Sequence, residues 1–257
     1  MRRFALILGL VFLWAPIALM AAYAFSGSRV PFQWGGFSLR WFVALAANER
    51  LLEAAWLSLR IGAAAATLAT LLGLALGWVL ARHGRFAGRS IFGVLTGAPL
   101  VLPEVVVGLA LLLLFVGLQA MTGWPTQRGA VTVWLAHASL GMAYVAVLVQ
   151  ARLAGLDPAL EEAAADLGAR PFVVFTTITL PLIAPSLAAG WLLAFTLSLD
   201  DVVLASFVSG PGATTLPVYL FSQLRLGMTP EANALAVVML ALAGGLGLLV
   251  WALRLSR

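Results

Sequence analysis

The chain has no cysteine, which excludes disulfides, thiolate metal sites and cysteine nucleophiles. It has no lysine either: all 15 basic residues are arginine. A Walker-type phosphate loop needs Gly-Lys-Ser/Thr, because the lysine reaches the phosphates. An ATP-driven process would therefore keep its nucleotide on another polypeptide. Charge of both signs is scarce, at 10% of residues against roughly a quarter in soluble domains. Histidine is nearly absent, and His137 has no second histidine or carboxylate cluster at ligand spacing, so no metal site is expected. Without cysteine, paired histidines or an HExxH motif, an intramembrane hydrolase is disfavoured.

What the chain has instead is apolar surface. Hydrophobic residues make up 63% of it and the mean hydropathy is +1.05. A soluble domain of 257 residues has too little interior to hide that much, so lipid must solvate most of it. About 20 apolar residues cross the hydrocarbon as a helix. Six such runs are present, near residues 4–25, 54–81, 91–119, 131–151, 183–207 and 232–253. The expectation is an all-α membrane protein with six transmembrane helices, forming a single transmembrane domain over 1–257.

The arginines orient it. With both termini cytoplasmic, the inner segments hold Arg2, Arg3, Arg82, Arg85, Arg89, Arg152, Arg170, Arg254 and Arg257. The outer ones hold Arg29, Arg40, Arg50, Arg128 and Arg225, and Arg60 lies within the second span. That bias places both termini inside. The net charge of +5 is thus topological, and nucleic acid is not an expected partner. Met1-Arg2-Arg3, an apolar run and Ala22-Tyr23-Ala24 also fit a signal peptide, but the run is long for a signal core. Residues 29–50 carry Trp34, Phe37, Trp41 and Phe42, which suit an outer interfacial segment with a short helix lying on the membrane.

The sizeable inner loop covers about residues 152–182, and its pattern is helical. Asp157 can cap a helix and Pro158 fits its first turn. Glu161 and Glu162 lie early, where the helix dipole favours acids. Leu160, Ala163, Ala164 and Leu167 form one apolar stripe, and Gly168 is a C-terminal stop. Pro171 restarts a second short helix, which Leu180-Pro181 is expected to end. This helix either lies against the membrane or its own bundle, or enters a groove on a partner.

Glu162-Ala163-Ala164, Gly168, Ile178 and Leu180-Pro181 match the EAA---G---------I-LP signature at every position. On these residues the chain resembles the permeases of bacterial ABC importers of the binding-protein-dependent family. The resemblance implies the type I importer permease fold, with a cytoplasmic coupling helix between the fourth and fifth spans. Glu161, Glu162, Ala163, Ala164, Gly168, Leu180 and Pro181 would then serve ATPase coupling. It further implies a second permease subunit, two ATP-binding subunits carrying ATP and magnesium, a periplasmic binding protein and a place in the bacterial inner membrane. The chain itself would bind no cofactor and would not be an enzyme. Glu162 would pair with an arginine of the ATPase, or within its own loop with Arg170.

Carboxylates inside a bilayer are costly and mark a pathway or a pair. Glu104 lies near the middle of the third run, after Pro103, and Asp200 and Asp201 lie toward the end of the fifth. Adjacent helical positions point about 100° apart, so the two aspartates need not face one cavity, and one can cap a broken helix. Acids without lysine favour a cationic substrate; the alternative for each is a helix–helix hydrogen bond. Residues 191–201 and Ser209-Gly210-Pro211-Gly212-Ala213-Thr214-Thr215-Leu216-Pro217 resemble the polyamine branch of these permeases, in particular the second permease subunit of putrescine importers. That implies a polyamine-binding protein as the periplasmic partner. Trp134, Tyr144 and Tyr219 can hold ammonium groups by cation–π contact, or can be belt and packing residues. Pro99, Pro103, Pro181 and Pro185 are candidate helix breaks. The rival readings are a permease for a metal ion, thiamine or an anion, and a self-powered secondary transporter.

Overall fold

The computed structural model describes residues 2–30, 33–84, 86–226 and 230–241. The second half of the sixth expected span, together with Arg85, Arg254 and Arg257, lies outside the described residues, as do the side chains of Arg2, Arg3 and Arg225. Among the described residues the chain is helical, with a single isolated bridge between Ser26 and Phe37. The helices are α1 (Arg2–Ala24), α2 (Arg40–Ala47), α3 (Glu49–Arg82), α4 (Arg89–Val101), α5 (Glu104–Thr122), α6 (Ala130–Ala154), α7 (Ala159–Asp166), α8 (Pro171–Val174), α9 (Leu180–Asp200), α10 (Val203–Val208), α11 (Leu216–Leu226) and α12 (Glu231–Ala241). A π-helical turn, Phe175–Thr179, joins α8 to α9. Five stretches are long and apolar enough to cross a bilayer: Leu6–Ala24, Glu49–Arg82, Glu104–Thr122, Ala130–Ala154 and Pro171–Asp200. The protein is therefore a multi-pass membrane protein.

Two compact units divide the chain, Met1–Glu53 with Tyr219–Arg257, and Ala54–Val218. In the first, the segment after α1 folds back on itself. Trp41 is buried on α2 and its ring N–H donates to the carbonyl of Ser26 at 2.6 Å. Arg40 covers the Trp41 ring at 4.4 Å and donates to the carbonyl of Gly27. The short helix expected between residues 29 and 50 is thus α2. Asn48 caps α3 through Leu51 N–H and donates to Glu231 at 2.9 Å.

In the second unit α6 is the central helix. Its apolar residues are buried nearly all round, including Val133, Val145, Val149 and Leu153, as expected of a helix enclosed by others. Small residues let α3 approach it closely. A Cβ at Gly73 or Gly77 would collide with Val145 or Val149, the small-residue packing by which membrane helices associate. Ala66, Ala69, Ile183 and Ala194 complete that core from α3 and α9. A second core joins Ile61, Val107, Phe115, Val133, Leu204 and Val208.

Two expectations are corrected here. The third apolar run is not one helix: α4 ends at Val101, Leu102 is extended with ψ 140°, and α5 starts at Glu104. Pro103 has no N–H to continue the ladder, and its ring holds the preceding residue away from the α region. Glu104 therefore stands in the first turn of a helix and not mid-span. Leu180-Pro181, in contrast, does not end a helix. The π turn widens the helix just before it and α9 continues straight on. Widening of this kind accommodates a missing N–H. Pro99 and Pro185 likewise sit inside α4 and α9.

The Gly210-Pro211-Gly212 segment closes as a tight turn, with Ala213 N–H donating to the carbonyl of Gly210 at 3.1 Å. It presses on the start of α6, where Thr132 donates to the carbonyl of Val208 at 2.7 Å and Arg128 to that of Phe207. A Cβ at Gly210 would strike the backbone carbonyl of Arg128. Gly210→Ala is expected to cost about 2 kcal/mol or more, read as a lower midpoint in thermal unfolding of the detergent-purified chain. Gly129→Ala is the control, since Gly129 is extended with open space around its Cβ position.

Candidate functional site

Two helix breaks build the site. One lies between α4 and α5 at Leu102-Pro103, the other between α9 and α10 at Asp201-Val202. They adjoin because α10 packs on α5, with Phe207 lying against Gly108. Glu104 opens α5 beyond the first break, and Asp200 and Asp201 stand at the second. The three span acids flank these two breaks.

They are not equivalent. Glu104 and Asp200 are exposed, whereas Asp201 is buried. The chain turns at Asp201, where ψ is 119°, so neighbouring aspartates point in different directions. Asp201 Oδ1 accepts from Leu204 N–H and Oδ2 from Ala205 N–H, each at 2.9 Å. These are free donors at the N-terminus of α10, where a carboxylate is favoured. His137 meets the same carboxylate from α6. Its Nε2 stands 2.8 Å from Oδ2, at an angle too steep for a linear hydrogen bond, and its Nδ1 is 2.6 Å from Ser198 Oγ. Ser198, His137 and Asp201 are each 5% exposed. Sequence reasoning offered the cap as one role for an aspartate, and the structure gives it to Asp201. It missed His137 and Ser198, whose contact joins positions 61 residues apart.

The aromatic candidates are less direct. Trp134 is half-buried and packs on the core around Val133 and Phe115. Its ring N–H is buried without a partner among the described residues. Tyr219 belongs to the other unit, where its hydroxyl accepts from Gln223 Nε2 at 3.0 Å. Tyr144 is half-buried on α6.

The second candidate region is α7. Ala159 N–H donates to Asp157 Oδ1 at 3.0 Å, which is the expected cap. Gly168 takes φ +84° and closes the helix, and Ala169 N–H returns to the carbonyl of Ala164. No residue of α7 is buried; Leu160 is 51% exposed and Leu167 is 90% exposed. Glu162 is exposed and makes no ion pair among the described residues, with Arg170 or otherwise. Glu161 turns inward instead, toward Arg82 and Thr179.

Residues 73–256 match the family model described as binding-protein-dependent transport system inner membrane component. The chain belongs to that family. This permease is 52% identical over 250 residues, 97% of its own length and 89% of the relative's, to the putrescine transport system permease protein PotI of Escherichia coli K12. It is 38% identical over 232 residues, 90% of itself and 85% of the relative, to the spermidine/putrescine transport system permease protein PotC of the same strain. Among solved structures it shares its fold with a chain of a bacterial alginate ABC transporter in complex with alginate pentasaccharide-bound periplasmic protein. There the TM-score is 0.74, with 17% identity, 98% of this chain covered and 91% of that one. The type I permease likeness expected from the EAA residues is therefore supported at the level of fold.

Proposed function

We propose that the permease is a transmembrane subunit of an ATP-driven importer for polyamines, with putrescine as its substrate. One observation carries the reading: two exposed carboxylates, Glu104 and Asp200, flank two adjoining breaks in membrane helices, in a chain 52% identical to a putrescine permease. A diammonium ion needs acids near each end and polar backbone at membrane depth. Broken helices supply both, because irregular backbone in a bilayer is tolerated where it lines a cavity. Trp134 is assigned to the same path as an aromatic wall. Asp201 shapes it by fixing the start of α10.

In this reading six spans form one permease domain over residues 1–257, with both termini cytoplasmic. A second permease completes the path, two ATPase subunits carry ATP and magnesium, and a periplasmic polyamine-binding protein delivers substrate in the bacterial inner membrane. The helix α7 is the coupling helix. Its bare apolar stripe and its Glu162, exposed and without an ion pair among the described residues, support that role, since a solvent-facing Leu167 gains most from a partner's groove. Gly168 ends that helix, and Leu180 and Pro181 begin the span that receives its motion. The test is labelled-putrescine uptake by vesicles holding the reconstituted complex. Uptake requiring ATP and competed by excess putrescine is expected; uptake without the ATPase subunits would overturn the reading.

Glu162→Lys is expected to uncouple the complex. The reversed charge repels a basic groove on the ATPase, and a coupling loss of about 1–3 kcal/mol lowers uptake roughly 5- to 150-fold. Membrane insertion should be unchanged. Uptake and ATP hydrolysis measured in the same vesicles check it.

A further inference from the structure

The helix α7 is tethered at one point. Among the described residues, Glu161 is the α7 side chain that bonds beyond its own segment. Its Oε1 accepts from Arg82 Nη2 at 3.1 Å and from Thr179 Oγ1 at 2.7 Å. Arg82 is the last residue of α3, and Thr179 is the last residue of the π turn and fully buried. A single carboxylate oxygen therefore joins three segments: α7, the end of α3 and the root of α9.

A second contact reinforces the joint. Trp78 of α3 meets Phe175 of the π turn edge to face, with ring centroids 4.8 Å apart at 83°. Trp78 and Arg82 are one helical turn apart, and so are Phe175 and Thr179. Two contacts spaced by a turn on each element resist sliding and rotation together. The Arg82 and Glu161 side chains are 17% and 21% exposed, so water screens this pair less than a surface pair. The threonines of the π turn add stiffness: Thr176 donates to the carbonyl of Phe172 at 2.9 Å and Thr177 to that of Val173 at 2.7 Å.

We propose that Glu161 is a positioning residue that welds α7 to the ends of α3 and α9, so that a push on α7 moves both helices as one piece. The proposal rests on reading α7 as the surface gripped by a separate ATPase. Without the weld, α7 would hang between Gly155 and Gly168 and swivel, and the push would be absorbed before reaching the spans. With it, the displacement reaches α9 and, at its far end, the break at Asp201.

The absence of cysteine in the chain allows a direct test. Arg82 and Glu161 are both replaced by cysteine, and the whole complex is reconstituted with its ATPase subunits and binding protein. Putrescine uptake and ATP hydrolysis are measured before and after a short bis-thiosulfonate cross-linker. The uncross-linked variant is expected to take up about tenfold less putrescine per ATP than wild type, and cross-linking to restore the ratio. A wild-type ratio before cross-linking would overturn the proposal. So would continued ATP hydrolysis without restored uptake after cross-linking, because the contact would then have to open during the cycle. Thr179→Val, nearly isosteric, is the second variant should the double change fail to assemble. A roughly threefold drop in the ratio is expected, and an unchanged ratio overturns the weld. Wild-type uptake in vesicles without the ATPase would instead overturn the functional reading.

Discussion

Changing Glu104 to Gln and Asp200 to Asn together is expected to lower putrescine uptake about a hundredfold. Each charge-assisted hydrogen bond to an ammonium contributes roughly 1.5–3 kcal/mol, and every 1.4 kcal/mol is about tenfold. Both carboxylates are exposed in the single chain, so the substitutions leave no buried partner stranded. The loss should therefore appear in transport and not in stability. Two controls separate charge from shape. Glu104→Asp keeps the charge on a shorter stem and should transport within about threefold of wild type. Either single neutralisation should cost about tenfold. The measurement is the initial uptake rate across a range of putrescine concentrations, with the thermal midpoint of each purified variant alongside. A double variant transporting at the wild-type rate would leave Glu104 and Asp200 as surface groups without a role in the path.

The stretches legible in the sequence were those set by one-dimensional quantities. Hydropathy located the spans, and the ends of α1, α3 and α6 fall within a few residues of the runs read from it. The cap at Asp157 and the stop at Gly168 were legible because each depends on local chemistry alone. Proline was only half legible. Four prolines were candidate breaks, but a break forms where the preceding residue can go extended, as Leu102 does at Pro103. Pro181 is absorbed instead, in the first turn of α9 directly after the π turn Phe175–Thr179.

What could not be read is what depends on pairing across the chain. Glu161 and Glu162 look alike in sequence, as two acids in one helical turn. The fold separates them, turning Glu161 toward an arginine 79 positions away and leaving Glu162 outside. Arg82, counted as topological charge, proves to have a specific partner. His137 looked like an isolated polar residue in an apolar helix. A buried imidazole must find partners, and that requirement was a usable signal for a facing acid. Nothing local said that the acid would be Asp201 and not Asp200. The decision comes from the turn at the end of α9, which aims one carboxylate at the free N–H groups of α10 and the other outward.

That division yields the sharpest contrast between two adjacent residues. Asp201→Ala is expected to destabilise the fold, whereas Asp200→Asn is not. Removing the Asp201 carboxylate strips two N–H groups at the start of α10 of their acceptor and leaves His137 facing a void. Each buried N–H group left without an acceptor costs roughly 1–3 kcal/mol. At about 2–4 °C per kcal/mol for a chain of this size, the thermal midpoint should fall by roughly 10 °C. Asp201→Asn keeps an acceptor oxygen for one N–H and should fall about half as far. The variants are compared by thermal unfolding of the detergent-purified chain, with putrescine uptake measured on the same preparations. If Asp201→Ala kept its midpoint and lost only uptake, the carboxylate would be a substrate ligand and not a cap. If both variants lost uptake but only Asp201→Ala lost stability, the two aspartates would divide the work as their geometry indicates: one carboxylate faces the dication, and its neighbour fixes the helix break that presents it.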